Sequence, residues 1–294
     1  MKIAVIEVPY HLGREGVGMG RGPIRFVEAG LAKELRELGH TVGVETVKVE
    51  PALEDDLSAV IRVNARLSDL VKASMFEGCF PLVLAGNCST CLGVLAGLSS
   101  ARAGIIWFDA HGDFNTPETS PGGFLDGMAL AMATGRCHQD LWKEIGGGGP
   151  APESNIVLVG ARDLDNEERE SLERSNIAVV PAQMIRKGGI SGSFLATLKR
   201  LRSRVDELYL HFDIDVLDPS EAPGVDFRCE SGLFLSEIER VLETVSQYFR
   251  TTAMNIASYN PDLDENDITL MSGLRLLTTL AGLISRGYPR AGRR

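Results

Sequence analysis

Short runs of β-branched and aromatic residues recur along this 294-residue chain and alternate with longer stretches that have apolar residues at helical spacing. This alternation is typical of a parallel β-sheet with helices on both faces. No break in composition divides the chain, so we expect residues 1–294 to form a single α/β domain with three layers and an eight-stranded, mainly parallel sheet. The predicted strands are residues 3–8, 42–47, 81–85, 104–108, 155–159, 177–180, 207–212 and 252–257.

Helical and irregular segments separate these strands. Residues 114–127 contain repeated Pro and Gly, which predicts an irregular segment at the carboxyl ends of strands, where open α/β sheets bind ligands. The glycine-rich residues 145–152 predict a linker, and residues 286–294, with four arginines, predict a solvated tail or a subunit contact. Apolar spacing predicts core helices at residues 23–38, 52–77 and 235–249.

Two groups of acidic residues stand where predicted strands end. One is the sequence Asp-Ala-His-Gly-Asp and the other is Phe-Asp-Ile-Asp. Crowded carboxylates repel one another and become partly protonated unless a cation neutralises them, and a pair of divalent metal ions is the simplest such cation. Ordinary loop chemistry is the alternative for either group alone. Alternate residues of a strand share one face, so convergence is expected for Asp109, His111 and Asp113, and for Asp213 and Asp215.

The charge balance and the cysteines limit the partners and the compartment. Lys and Arg number 30 against 40 Asp and Glu, a net charge of −10, which disfavours nucleic acid or an anionic membrane as the main partner. No signal peptide precedes the first strand, and no apolar run approaches the ~18 residues that cross a bilayer. The five cysteines lack the spacing of a disulfide framework. We therefore expect a cytoplasmic protein that acts on a small molecule.

With these segments assembled, the chain resembles the ureohydrolase family of arginases, agmatinases and formiminoglutamate hydrolases. The resemblance covers nearly the whole length. It is carried by Gly-Val-Gly-Met-Gly-Arg-Gly-Pro at residues 16–23 with Arg25, by Asp-Ala-His-Gly-Asp, and by Phe-Asp-Ile-Asp-Val-Leu-Asp-Pro. It implies an arginase-like fold and a homo-oligomer, trimeric or hexameric.

The resemblance also implies a binuclear metal centre. Asp109 and Asp213 would bridge two ions, Asp113 would complete one ion, and His111 with Asp215 would complete the other. The family usually binds Mn²⁺, which oxygen ligands with imidazole also suit. A hydroxide held between the ions would attack a guanidino or formimino carbon and release urea or formamide with an amine.

One departure from the family lies in the sequence Ala-Gly-Asn-Cys-Ser, where the family has Gly-Gly-Asp-His-Ser. Cys88 then occupies the position of a histidine ligand. A thiolate there would make the site softer and more open to Fe²⁺, Co²⁺ or Zn²⁺. The alternative is a buried cysteine that acts as a small apolar residue. The same replacement occurs in the branch that hydrolyses N-hydroxy-arginine.

The resemblance also points to residues that would bind the substrate and to one that would transfer a proton. Asn115, Asp165 and Glu168 match positions that hold the amino-acid end of arginine, although Asp165 and Glu168 also fit an ordinary helix start. The family's polar contacts to the carboxylate are replaced by Gly122 and Phe124. Asp126 stands where arginases have a proton-shuttling histidine, and it can act as an acid if neighbouring carboxylates raise its pKa. The alternative is a simple loop cap. Asp113 and Asp126 are accordingly the candidate catalytic residues.

Ser258 is the last departure. It stands where a glutamate pairs with the guanidinium in the family's Glu-x-Asn-Pro sequence. A buried cation without its carboxylate binds less favourably, so a hydroxyguanidine or a formimino compound fits Ser258 better than arginine does. The departures at Cys88, Asp126 and Ser258 also support a second hypothesis, a catalytically silent protein that scaffolds or regulates an assembly.

Overall fold

The sheet has eight strands, all paired in parallel, in the order β4-β1-β5-β10-β9-β6-β7-β8. The computed structural model describes residues 1–50, 55–98, 103–120 and 122–285. The eight strands are β1 Lys2–Val8, β4 Thr41–Thr46, β5 Phe80–Ala85, β6 Ala103–Phe108, β7 Ile156–Val159, β8 Ala178–Val180, β9 Glu207–Asp213 and β10 Arg250–Ala257. A small antiparallel hairpin, β2 (Tyr10–His11) and β3 (Arg14–Glu15), follows β1. All eight predicted strands are present, which confirms the predicted fold class.

Helices cover both faces of the sheet, as predicted. They are α1 Gly22–Glu28, α2 Leu31–Glu37, α3 Asp56–Phe76, α4 Cys91–Leu98, α5 Ala129–Ala133, α6 Leu141–Glu144, α7 Asn166–Glu173, α8 Ala182–Gly188, α9 Gly192–Arg202, α10 Leu235–Tyr248 and α11 Ile268–Ser285. The prediction of one helix over residues 23–38 was wrong. Gly30 adopts a φ of 99°, a left-handed conformation that interrupts the helix and separates α1 from α2.

The other predicted segments agree with the structure where it describes them, except that the last two residues of the predicted irregular segment 114–127 begin a short 3-10 helix, Asp126–Met128. Helix α3 begins after Asp55, whose side chain accepts a hydrogen bond from the Ser58 backbone N–H. Residues 51–54, where this helix was expected to start, and the arginine-rich residues 286–294 lie outside the described residues. No helix or strand occurs in the described part of 114–125, and residues 145–152 form a connection that leads to β7.

Two apolar layers fill the space between the sheet and its helices. Successive strand residues point to opposite faces, so Ile106 and Phe108 enter one layer while Ile105 and Trp107 enter the other. The first layer packs against α1, α2, α9, α10 and α11, and the second against α3, α4, α5 and α6. Strands buried on both faces explain the continuous apolar runs of the sequence.

Helix α11 corrects one expectation from the sequence. It has 18 residues and is apolar enough to cross a membrane by length and composition, although we expected no apolar run of that length. Leu274, Leu277 and Leu280 of this helix are buried in the first apolar layer. A core helix of this kind meets the same length and composition criteria as a membrane span.

Gly86, just after β5, allows the chain to pass close to the N-terminal hairpin. A Cβ atom at this position would lie 2.2 Å from the Tyr10 backbone oxygen. We predict that Gly86→Ala lowers the free energy of unfolding by about 1–3 kcal/mol, as overpacking does. Gly43→Ala is the matched control, because nothing lies within 4 Å of a Cβ there. Urea unfolding measures both variants, and equal stabilities would contradict the prediction.

Candidate metal centre

The candidate ligands and their polar neighbours lie at the carboxyl ends of four neighbouring strands in the middle of the sheet. In sheet order these strands are β5, β10, β9 and β6. The segments at their carboxyl ends carry Cys88, Ser258, Asp213 with Asp215, and Asp109 with His111 and Asp113, respectively. All four strands run in the same direction, so these ends meet at one edge. Residues far apart in the sequence thus form one cluster.

The first group of potential ligands consists of Cys88, Asp109 and Asp213. One ligand atom from each lies within 4.8 Å of the other two, and all three residues are buried. The Cys88 Sγ donates a hydrogen bond of 2.8 Å to Asp213 Oδ2. The sulfur therefore lies next to a carboxylate oxygen with which it can share a cation.

The second group consists of Asp109, His111 and Asp215, with the same spacing limit. His111 Nδ1 lies 3.0 Å from Asp215 Oδ2 and 3.4 Å from Asp109 Oδ1. Burial lowers the pKa of His111, but the carboxylates of Asp215 and Asp109 outweigh burial and raise it well above its usual value. The two groups share Asp109, so two cations bound there would be neighbours.

Asp113 adds an unsatisfied oxygen to the cluster. Its Oδ2 is buried and has no hydrogen-bond partner among the described residues. The backbone of Asp113 has a φ of 49°, and its carbonyl oxygen accepts bonds from the N–H groups of Leu130 and Ala131 at 2.8 and 3.0 Å. The backbone at Asp113 thus has a conformation that is unusual for a non-glycine residue, and this conformation positions the carboxylate.

The electrostatics of the cluster fit a pair of divalent cations. Burial and neighbouring carboxylates raise the pKa of Asp113 and of Asp213 well above the usual range. Burial, followed by Asp213, also raises the pKa of the Cys88 thiol. A buried carboxylate without a partner is costly, and cations would remove that cost. The cluster therefore contains Asp, Cys and His groups suited to a divalent ion.

Aromatic residues support Asp109 from below, and the sequence reasoning missed them. Trp107 Nε1 donates a 2.8 Å bond to Asp109 Oδ2, and its ring stacks on the His211 ring with centroids 3.6 Å apart. Tyr209 Oη lies 3.1 Å from His211 Nδ1. Burial lowers the pKa of His211 to about 3, so this imidazole is neutral. Trp107 and His211 each stand two residues before an aspartate of the cluster. Because alternate residues of a strand lie on the same face, this spacing could have predicted that both rings lie on the same face of the sheet as the aspartates.

Asp126 is fixed by the segment that carries Cys88. Its Oδ2 accepts a 2.6 Å bond from Asn87 Nδ2, and its Oδ1 accepts a 3.0 Å bond from the Ser89 N–H. Burial raises the pKa of Asp126 to about 6, although these hydrogen bonds oppose the rise. Asp126 thus holds both neighbours of Cys88, a contact that the sequence did not reveal.

Ser258 contacts the metal cluster itself. Its φ is 70°, and its hydroxyl donates a short hydrogen bond to Asp213 Oδ2. The same hydroxyl lies 3.8 Å from Cys88 Sγ. The serine therefore completes the polar surroundings of Asp213 at the base of the cavity.

A cavity of about 300 Å³ opens above the cluster. The Asn115 amide lines it and donates a 3.3 Å bond to Asp165. Glu168 is buried and accepts a 2.9 Å bond from the Phe114 N–H, and burial raises its pKa to about 7. Cys88 and Asp109 lie beneath the cavity. The predicted site residues that line it are His111, Asp113, Asn115, Asp126, Asp165, Glu168, Asp213, Asp215 and Ser258.

Comparison with known proteins identifies the family. The sequence profile of the arginase family matches residues 1–282. An arginase from Bacillus caldovelox is 35% identical over 296 residues, which cover 95% of this chain and 98% of that protein. The crystal structure of an arginase from Bacillus cereus superposes with a TM-score of 0.87 at 34% identity, covering 96% of this chain and 99% of that one. The Bacillus subtilis formimidoylglutamase shares the fold, with a TM-score of 0.75 at 20% identity, covering 98% and 88%. The chain therefore belongs to the arginase family.

Proposed function

We propose that this protein is a metal-dependent hydrolase that cleaves a C–N bond in a small guanidino-, hydroxyguanidino- or formimino-type metabolite. The observation that carries the proposal is the pair of ligand groups that share Asp109 at the base of a cavity. Membership of the arginase family supports the same chemistry. The unsatisfied Asp113 oxygen favours this proposal over a catalytically silent scaffold, which has no use for a buried unpaired carboxylate.

Two divalent ions are the proposed cofactors. Asp109 and Asp213 would contribute to both sites. Cys88 and Asp113 would hold one ion, and His111 and Asp215 the other. We propose Mn²⁺, with Fe²⁺, Co²⁺ or Zn²⁺ as alternatives because the Cys88 sulfur is a softer ligand. When bound, such ions act as Lewis acids that polarise the reacting group and lower the pKa of a water molecule.

Asp126 is the proposed acid. It lines the cavity, is buried, and has a pKa of about 6, so it can hold a proton in mild acid and release it near neutral pH. Asn87 and Ser89 fix both of its oxygens, which keeps the carboxyl group in one orientation. We propose that Asp126 takes a proton from the attacking water and passes it to the departing amine, while the Asp113 oxygen that lacks a hydrogen-bond partner would hold an ion beside the reacting group.

The substrate contacts follow from the cavity walls. We propose that Asn115, Asp165 and Glu168 bind the end of the substrate remote from the reacting carbon. Ser258 lies close to the cluster and offers a neutral hydroxyl in place of a carboxylate. A strongly basic guanidinium gains no ion pair from a hydroxyl, so a less basic hydroxyguanidino or formimino group suits this position better.

We also propose that residues 1–294 act as one domain, that the protein assembles into a trimer or hexamer, and that it works in the cytoplasm. Family membership supports the homo-oligomer. Light scattering after size-exclusion chromatography tests the assembly, and a monomeric mass would end that part of the proposal.

The ligand assignment predicts the metal content. Wild-type protein dialysed against Mn²⁺ should hold about two ions per chain, and Asp113→Asn should hold fewer because one ion loses an anionic ligand. Elemental analysis by plasma mass spectrometry measures both. The control is Asp226→Asn, an exposed acidic residue on the cavity wall that should leave both ions bound. The proposal would be abandoned if wild-type protein bound no metal.

A thiolate ligand at Cys88 predicts a spectroscopic signature. Protein loaded with Co²⁺ should show a sulfur-to-cobalt charge-transfer band in the near ultraviolet, and Cys88→Ser should abolish it. Cys91→Ser is the matched control, because Cys91 is equally buried and its Sγ points to the Ala129 carbonyl oxygen at 3.8 Å. A band that survives in Cys88→Ser would exclude Cys88 as a ligand.

The raised pKa values predict how stability changes with pH in metal-free protein. A carboxyl group whose folded pKa is raised stabilises the fold at low pH, and this contribution is lost as pH rises through the folded pKa. We expect the free energy of unfolding to fall between pH 6.5 and 8. Glu168, with a pKa of about 7, should account for about 1 kcal/mol of the fall. His211, neutral in the folded protein, opposes the fall only while the unfolded chain still protonates it, and this opposition fades between pH 6.5 and 8.

Chemical unfolding at several pH values measures this change. Glu168→Gln should reduce the fall in the free energy of unfolding between pH 6.5 and 8. Mn²⁺ should reverse this fall, because bound ions would neutralise the cluster. Glu167→Gln is the control, because Glu167 is exposed and adjacent in the sequence. A stability that rises with pH over this interval would show that the carboxyl groups are not destabilised by burial.

A further inference from the structure

Two buried cysteines stand at the turn that leads from β5 into helix α4. Cys88 begins this turn and Cys91 is the first residue of α4, so the sequence at the start of the helix is Cys-Ser-Thr-Cys. Both are free thiols, and each has at most 1% of its surface exposed. The proposed metal centre uses Cys88 and gives no role to Cys91. The second thiol therefore calls for an explanation of its own.

The backbone holds the two cysteines at a separation that a disulfide can span. The Cys91 N–H donates a hydrogen bond to the Cys88 carbonyl oxygen, so residues 88–91 form one turn. The Cα atoms at the two ends of such a turn lie less than about 7 Å apart, and disulfides join Cα atoms that are about 4.4–6.8 Å apart. A bond between Cys88 and Cys91 therefore needs rotation of side chains rather than movement of the backbone.

Neighbouring segments fix this turn. Thr90 Oγ1 donates a 2.7 Å bond to the Asn87 carbonyl oxygen and accepts a 2.6 Å bond from Asn255 Nδ2. Helix α4 also packs closely on α3, since a Cβ atom on Gly93 would lie 2.7 Å from the Asn64 backbone oxygen. The distance between the two cysteine Cα atoms is thus set by the fold.

The two sulfur atoms lie in one buried region. Burial, followed by the neighbouring Cys91 and Cys88, raises the pKa of Tyr209 well above its usual value, so both thiols lie near this phenol. The Cys91 Sγ donates to the Ala129 carbonyl oxygen at 3.8 Å, which is a long and weak bond. Little therefore holds the Cys91 side chain against a rotation toward Cys88.

Cys88 is the thiol closer to the cavity. Its Sγ lies 2.8 Å from Asp213 Oδ2 and 3.8 Å from Ser258 Oγ, and both of these residues line the cavity. Ala129, the partner of Cys91, is not among the described residues that line it. A small oxidant that enters the cavity therefore meets Cys88 before it meets Cys91.

We propose that Cys88 and Cys91 are a site of reversible disulfide formation by hydrogen peroxide. The Cys88 sulfur attacks the O–O bond, which breaks as a sulfenic acid forms, and the departing hydroxide leaves as water with the thiol proton. The Cys91 sulfur then attacks the Cys88 sulfur, so that the S–S bond forms, the S–O bond breaks and a second water leaves with the Cys91 proton. In sum, two thiols and one peroxide give one disulfide and two water molecules.

The disulfide removes one ligand from the metal centre. A thiolate binds a divalent ion, whereas a disulfide sulfur carries no negative charge, so the first ligand group keeps only Asp109 and Asp213. A thiol reductant restores both cysteines by exchange, as in the transient disulfides of reducing compartments. This effect on the metal rests on the proposed hydrolase function, in which Cys88 is a ligand, whereas formation of the bond does not.

Alkylation followed by mass spectrometry detects the bond. Metal-free protein is treated with hydrogen peroxide, alkylated under denaturing conditions and digested with chymotrypsin, because residues 85–92 contain both cysteines and no other. We expect this peptide to be two hydrogen atoms lighter than its reduced form and to take up two alkyl groups only after reduction with dithiothreitol. A Cys88 sulfinic acid beside an alkylated Cys91 would overturn the inference.

Metal content measures the consequence of the bond. Peroxide is removed before the oxidised protein is dialysed against Mn²⁺, and the protein should then hold about half as much Mn²⁺ as the reduced protein. Dithiothreitol should restore the full content. Full Mn²⁺ content with the disulfide intact would overturn the loss of the ligand. A protein that forms the disulfide but binds no Mn²⁺ in either state would support the disulfide and count against the hydrolase proposal.

Variants assign the second thiol. Reduced Cys91→Ala, or Cys91→Ser if the first variant folds poorly, should bind Mn²⁺ as wild-type protein does. After peroxide its Cys88 sulfenic acid has no partner and proceeds to a sulfinic acid, which dithiothreitol does not reduce. Cys79→Ala is the matched control, because Cys79 lies at the opposite end of β5 from Cys88 and should leave oxidation and recovery unchanged. Recovery of Mn²⁺ binding by dithiothreitol in oxidised Cys91→Ala would overturn the inference.

Discussion

Repulsion among buried carboxylates is the constraint around which this molecule is arranged. Asp109, Asp113, Asp213 and Asp215 are all buried at the same edge of the sheet. Such a group is stable only when cations or protons neutralise it. Asp109 belongs to both groups of potential ligands, so two cations bound there would lie side by side. The cavity, the proposed acid and the proposed substrate contacts all lie around this cluster.

Much of the fold and the cluster could be predicted from the sequence because both follow from short-range patterns. Short apolar and β-branched runs indicated the eight strands, of which the central ones are buried on both faces. Residues at i and i+2 after a strand indicated which side chains converge. The break at Gly30 was missed because apolar spacing continues across it while the backbone does not. An apolar helix as long as α11 was not expected, because polar residues interrupt its apolar sequence.

Contacts between segments that are far apart in the sequence could not be predicted from it. Nothing near Asp126 indicates that Asn87 and Ser89 bind its two oxygens, since 37 or more residues separate them. Likewise, the spacing of Ser258 could suggest a missing glutamate but not its bond to Asp213. These contacts determine how each carboxyl group is held, so the proposed roles depend on neighbours that the sequence does not indicate.

The place of β10 in the sheet has a consequence for biosynthesis. It is the last strand along the chain, yet it lies between β5 and β9 in the middle of the sheet. Until residue 257 has been synthesised and can fold, the earlier strands form two separate parts of the sheet, β4-β1-β5 and β9-β6-β7-β8. Each part then has an unpaired edge strand. Pairing of β10 with β5 and β9 comes late in synthesis. It joins residues far apart in the sequence, and such long-range pairing is intrinsically slow. The unpaired edges of β5 and β9 therefore stay open to pairing with other chains until β10 joins the sheet.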